Sequence, residues 1–117
     1  MDADELKKRT QIFALNIIQF VQNIHNRDSV HIIGRQLLRC GTSVGANYRA
    51  ACRAKSRADF IAKLKIVEEE CDESMYWLEL LAAIQLGNKS AIAALVSEAG
   101  QILSIIVASI RTARTPI

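Results

Sequence analysis

The sequence predicts an all-α protein, an up-down antiparallel four-helix bundle formed as one domain by residues 1–117. Three observations predict it. Half of the residues are hydrophobic but only 5% are aromatic, and one Pro and five Gly leave few breaks, a composition that favours helices over turn-rich β structure. Apolar residues recur with a helical period through four long segments. The connections between those segments are short, which forces successive helices to run antiparallel. The length suits a single core, and no internal repeat or low-complexity stretch divides it.

The first helix is expected from about Asp4 to His25, with Phe13, Ile17, Phe20 and Ile24 on one face. Asn26, Arg27, Asp28 and Ser29 make a polar connector, in which Asp28 or Ser29 can cap the next helix. The second helix, roughly Val30 to Ala54, turns Ile33, Leu37, Cys40, Val44 and Ala51 inward. Ser56 reads as the N-cap of the third, with Asp59 favourably placed in its first turn. That helix continues to Leu86 and stops at Gly87-Asn88, where Gly supplies the left-handed position. The fourth, from about Ser90 to Arg111, buries Ile92, Leu95, Ala99, Leu103, Ile106 and Ile110.

The first ten residues, MDADELKKRT, are charged and hold no apolar run, so no signal peptide is expected. No stretch approaches ~18 uncharged apolar residues, so no membrane span and no membrane partner are expected either. Cys40, Cys52 and Cys71 are odd in number and lack C-x-x-C spacing, as in a cytoplasmic protein with reduced thiols. The net charge of +3 conceals an asymmetry. Residues 27–65 carry nine basic side chains against two acidic ones, whereas residues 66–80 carry six acids and no base. Such segregation suits head-to-tail contacts between subunits, or an anionic partner.

Gly41-Thr42-Ser43-Val44-Gly45 fits the G-x-S-x-G pattern of a hydrolase nucleophile elbow. An elbow needs a strand before the serine and a helix after it. Here both flanks are helical, and His25 and His31 precede the serine rather than come after it. Ser43 is not a nucleophile on this reading, and no enzyme is expected. A phosphate loop fails too, because no Gly-Lys-Ser/Thr comes next. The small residues Gly41, Gly45, Ala46, Ala50 and Ala54 instead let another helix approach the second one closely, at ~1 kcal/mol of propensity per Gly and with room for a kink near Gly41. Ser43 and Asn47 stand one turn apart beside the apolar stripe, as polar residues satisfied by their neighbours. The acid-rich third helix holds no His and so no Glu-x-x-His pair. No metal and no cofactor are expected.

Two surfaces stand out. On the third helix, Phe60, Leu64, Val67, Cys71, Met75 and Leu78 face the bundle. A second row, Ile66, Glu70, Glu73, Trp77, Leu80 and Ile84, keeps the same period about a third of a turn away. A monomer would leave Trp77, Leu80 and Ile84 in water, which points to a homo-oligomer joined through the third and fourth helices. Ile102 and Ile105, off the main stripe of the fourth helix, add to this; the alternative is a splayed bundle that buries both rows internally. On the second helix, Arg35, Arg39, Thr42, Ala46, Arg49 and Arg53 share one face that runs ~27 Å, and Lys55 and Arg57 extend it. Arginines so placed can contact successive phosphates of RNA or DNA. They can equally pair with Glu70 and Glu73 of a neighbouring subunit, and no aromatic platform for base stacking accompanies them.

The segment RCGTSVGANYRAACRAKSRADFIAKLKIVEEECDESMYWLELL resembles the small bacterial four-helix bundles known as 23S ribosomal RNA intervening-sequence proteins. That family's Ser-Ile/Val-x-x-Asn motif is matched by Ser43-Val44-Gly45-Ala46-Asn47, its Phe-Ile-x-x-Leu by Phe60-Ile61-Ala62-Lys63-Leu64, and its later Glu-Ser by Glu73-Ser74. The likeness runs from Arg9 into the fourth helix and departs at Ala50-Ala51-Cys52, where many relatives have Ala-Glu-Gly. The resemblance implies a ring-shaped homopentamer. It also implies kinship with the accessory protein of diversity-generating retroelements, in which a similar pentamer binds a reverse transcriptase and nucleic acid through a basic surface. The expectation is therefore a homo-oligomer that binds nucleic acid, RNA foremost, through the arginines of the second helix. The alternatives are an adaptor for an acidic protein such as a reverse transcriptase or other polymerase, and a structural oligomer.

Overall fold

The computed structural model describes residues 1–24 and 28–116, the side chains of 28 and 29 excepted. Four helices succeed one another: α1 (Ala3–Gln22), α2 (Asp28–Ala51), α3 (Arg57–Ala83) and α4 (Lys89–Arg114). No strand occurs among the described residues. Each helix packs along the next, and α1 meets α4 least, in an elongated bundle of 51 × 21 × 20 Å. His25, Asn26 and Arg27, expected to end the first helix and begin the connector, lie outside the described residues, as do the side chains of Asp28 and Ser29.

Local chemistry sets the helix ends. Asp2 caps α1, its carboxylate accepting from the Glu5 N–H at 2.8 Å. Ser56 caps α3 as expected: its hydroxyl accepts from the Asp59 N–H, and the Asp59 carboxylate accepts from the Lys55 N–H and from the Lys63 ammonium at 2.6 Å. Lys63 and then the Lys55 amide hold the Asp59 carboxyl below its usual range. Asn88 caps α4 by accepting from the Ala91 N–H. Arg111 and Arg114 occupy the last turn of α4, where cations oppose the negative end of the helix dipole.

The end of α3 differs from expectation. The helix closes at Ala83, and the left-handed residue is Gln85 at φ 59°, two positions before Gly87. The Leu86 N–H reaches the Leu81 carbonyl and the Gln85 N–H the Ala82 carbonyl, the two bonds of a Schellman stop. Gly87 (φ 86°) serves the next turn, where an added Cβ would lie 2.8 Å from Phe20 Cζ. Gln85 therefore pays the steric cost of a side chain at positive φ. Gln85→Gly is expected to stabilise the fold by ~0.5–1 kcal/mol in a urea titration, and a loss of stability would contradict this account of the stop.

On α3 the core positions Leu64, Val67, Cys71, Ser74, Leu78 and Leu81 alternate steps of three and four, the spacing of a helix seam. Ser74 stands where Met75 was expected, and Phe60 and Met75 lie half-buried at the edge. The Ser74 hydroxyl is satisfied within the core, 2.8 Å from the Glu70 carbonyl and 3.3 Å from Cys40 Sγ. On α4 the expected order of Ile102 and Leu103 is reversed: Ile102 is fully buried and Leu103 half-buried. Either residue continues the helical period from Ala99 to Ile106, and packing against α3 selects the former. Between α1 and α4, Arg9 makes a two-pronged pair with Glu98, both bonds 2.7 Å, and a third bond to Gln101. This clip fastens the least intimate seam of the bundle.

Candidate functional site

The cations of α2 divide into two groups. Arg39 is committed to its own chain: its guanidinium pairs with Glu73 and, at 3.4 Å, with Glu70, both on α3. The antiparallel packing of α2 on α3 places these carboxylates beside Arg39, so the pairing with a neighbour's Glu70 and Glu73 is not required to satisfy it. The indole N–H of Trp77 also donates to Glu73, and together with Arg39 it holds the Glu73 carboxyl below its ordinary value. Arg35, Arg49, Arg53, Lys55 and Arg57 are exposed and form no ion pair among the described residues. Arg53 and Lys55 lie in the turn beyond α2, and Arg57 opens α3. Since the helices alternate in direction, this turn shares one end of the bundle with Arg111 and Arg114.

The second row of α3 lies along the seam with α2. Trp77 is half-buried and packs on the core, and Glu70, Glu73 and Leu80 are also half-buried. The expectation that a lone chain leaves Trp77 and Leu80 in water is thus corrected, because α2 and the Arg39 side chain lie over this side of α3. Ile66 (40% exposed) and Ile84 (49%) do stand in water. Tyr76 (54%) stands there too, its ring edge-on to Trp77 with centroids 5.1 Å apart. Sequence reasoning passed over Tyr76 and, on the outer faces of α1 and α2, Ile12, Leu15 and Ile32, all exposed. The signal available was their position opposite the core stripes.

Ser43 sits mid-helix, half-buried, with the Asn47 amide donating to its carbonyl at 2.9 Å, and no strand precedes it among the described residues. The geometry of a nucleophile elbow is absent at this position. α2 continues through Gly41 as one helix, and Gly41 and Gly45 meet Ile17 and Thr10 of α1 at close quarters. Beside that contact the α1–α2 seam opens outward into a groove of about 430 Å³, lined by Lys7, Gln11, Ala14, Thr42, Gly45, Ala46 and Arg49. Among the described residues, no three His, Cys, Asp or Glu gather to hold a metal. The thiols of Cys40 and Cys71 are buried, and burial pushes both upward, that of Cys71 to about 12.

α4 is strongly apolar. An 18-residue window within it has a mean hydropathy of 1.9, enough by length and composition to cross a membrane, and 28% of that window is buried. Glu98 interrupts it, with Ser97, Gln101 and Ser104 nearby, so the longest stretch of α4 without a charge, residues 99–110, stays short of the ~18 uncharged residues set as the limit. A helix shared between a core and a second apolar contact has the same composition.

The model of the family described as 23S rRNA-intervening sequence protein matches residues 4–108. The fold is similar to the crystal structure of a protein with unknown function from the S23 ribosomal protein family of Bacteroides thetaiotaomicron VPI-5482. The two share 33% identity and a TM-score of 0.87, over 95% of this chain and 99% of that one. No curated protein matches the chain.

Proposed function

The chain belongs to the 23S rRNA-intervening sequence protein family, and from that premise we propose a non-enzymatic cytoplasmic protein that assembles with copies of itself and binds nucleic acid, RNA foremost, through the cations of α2 and the turn after it. The observation that carries this reading is the state of those cations. Arginines that serve the fold are matched, Arg9 by Glu98 and Arg39 by Glu70 and Glu73. Arg35, Arg49, Arg53 and Arg57 are exposed and form no ion pair among the described residues, and Lys55 stands exposed beside them near Asp59. A polyphosphate backbone supplies the missing anions at repeated intervals and releases its own counterions as it binds.

Self-assembly is supported by apolar surface that one chain does not use. Ile66, Tyr76 and Ile84 lie exposed on α3, and Leu103, Ile105 and Val107 of the apolar α4 are only half-buried. Five copies is the number that the family resemblance implies. A ring would repeat the basic face around its rim, so that weak contacts to one strand gain from high effective concentration.

The test is fluorescence anisotropy of a labelled structured RNA at about 50 and 200 mM salt, with the assembly's mass tracked by light scattering. Wild type is expected to bind with strong salt dependence. Arg35→Ala/Arg49→Ala/Arg53→Ala is expected to lose binding while its mass stays well above that of one chain. Failure of wild type to bind at low salt overturns the reading and transfers the same cations to an acidic protein partner.

A further inference from the structure

The outward groove between α1 and α2 has a regular construction. Lys7, Gln11 and Ala14 line one wall, and Thr42, Ala46 and Arg49 the other, each set at i, i+4 and i+7 and hence in a straight row. The contacts of Gly45 with Thr10 and of Gly41 with Ile17 fix the register of the antiparallel pair. In that register Lys7 faces Arg49 at one end, Gln11 faces Ala46 in the middle, and Ala14 faces Thr42 beyond. The floor is low because the helices touch there: a Cβ on Gly45 would lie 3.3 Å from Thr10 Oγ1. Further along the same seam a second groove is lined by Arg35, Gly34 and Leu38 with Val21 of α1. Each of the two grooves along this seam thus carries an arginine of α2, Arg35 and Arg49 being ~21 Å apart along the helix.

We infer that the α1–α2 groove is the track for the sugar–phosphate backbone of a single-stranded nucleic acid. Phosphates sit at Lys7 and Arg49, the Gln11 amide donates beside them, and the low floor at Gly45, with the short Ala14 and Ala46 in the walls, admits the ribose. No aromatic side chain lines the groove, so binding is sequence-tolerant and dominated by the backbone. The inference rests on the proposed nucleic-acid binding and relocates its surface. α1 supplies a wall that a row of arginines on α2 lacks. Lys7 pairs with Asp4 at 3.4 Å, a single exposed contact between neighbouring turns that a phosphate can displace, whereas Arg39 is held by both Glu70 and Glu73 and takes no part.

Adjacent lysines give the test. Lys7 lines the groove, whereas Lys8 is exposed about 100° around the helix on another face. With a labelled oligouridylate at two salt concentrations, Lys7→Gln is expected to weaken binding about fivefold and to make the salt slope shallower by about one. Lys8→Gln removes the same charge and is expected to change the affinity less than twofold. Gln11→Glu, nearly isosteric, is expected to weaken binding by placing a carboxylate in the wall. Circular dichroism confirms that each variant is folded. Wild-type binding with equal losses for Lys7→Gln and Lys8→Gln overturns the groove and leaves diffuse binding by the basic face in place. Wild type that binds the structured RNA but not the oligouridylate also overturns the groove, and wild type that binds neither removes both readings.

Discussion

Gly41→Ala is expected to destabilise the bundle, whereas Gly34→Ala, two turns earlier on the same helix, is expected to stabilise it. Both substitutions gain about 1 kcal/mol of helix propensity. They differ in what the new methyl group meets. At Gly41 it would lie 2.9 Å from Ile17 Cγ2 and 3.0 Å from Cγ1. Ile17 is fully buried and has nowhere to retreat, so the overpacking cost of ~1–3 kcal/mol exceeds the propensity gain. At Gly34 the methyl group meets Val21 Cγ1 at 3.6 Å, an ordinary contact, and the gain is kept. Thermal unfolding should move down by several degrees for the first variant and up by a few for the second. Gly41→Leu, with three more carbons to place, should not fold. Melting shifts of the same sign for both Ala variants would refute the contact-based account of Gly41. The glycines of the G-x-S-x-G match would then need another explanation than the close approach of α1.

Where short-range chemistry decides, the sequence was readable. The Ser56 cap with Asp59 three residues on was expected and is present. Asp2 with Glu5 has the same spacing, and its cap was legible by the same rule although the first helix was expected to begin later. The stop of α3 was not legible, because Gly87 is the stronger left-handed candidate, yet Gly87 lies against Phe20 in the next turn and the Leu86 N–H bond to the Leu81 carbonyl closes the helix at Gln85. The choice between Ile102 and Leu103 likewise rests on the rotation of α4 about its axis, which one residue's hydropathy does not determine.

The partners of Arg39 were half legible. Opposite charges on the second and third helices were plain, and the turn at Lys55 makes Arg39 and Glu70 nearly equidistant from it along the chain. An antiparallel hairpin brings such positions together, so the pairing within one chain is a consequence of topology alone. The groove between α1 and α2 had no sequence signal. Lys7 and Arg49 are far apart in sequence, and the low floor depends on the register set by Gly45 and Thr10.

One thiol of the three should react in the folded protein. Cys52 is half-buried just past the end of α2, while Cys40 and Cys71 are buried in the core between α2 and α3. The thiolate is the reactive form, and burial pushes the Cys71 thiol up to about 12, so at pH 8 it stays protonated in the folded chain. A disulfide reagent added to the native chain should therefore modify Cys52 promptly. Cys40 and Cys71 should react only at the rate of unfolding, slower by at least about a thousandfold. The same shift has a pH consequence. Below 9.0, the ordinary value, folded and unfolded chains both keep the Cys71 proton, and the stabilising effect is fully present. As pH climbs from 9.0 toward about 12, the unfolded chain sheds the proton that the folded chain retains, so stability falls through that window. Cys40, raised in the same direction by burial, adds to the slope. Cys71→Ala removes the titrating group and should flatten the alkaline decline, at the cost of a small cavity that lowers stability equally at every pH. Three thiols reacting at one rate in the native protein would show that the α2–α3 seam opens to solvent. The packing that ties Arg39 to α3, and so separates structural from available arginines, would fall with it.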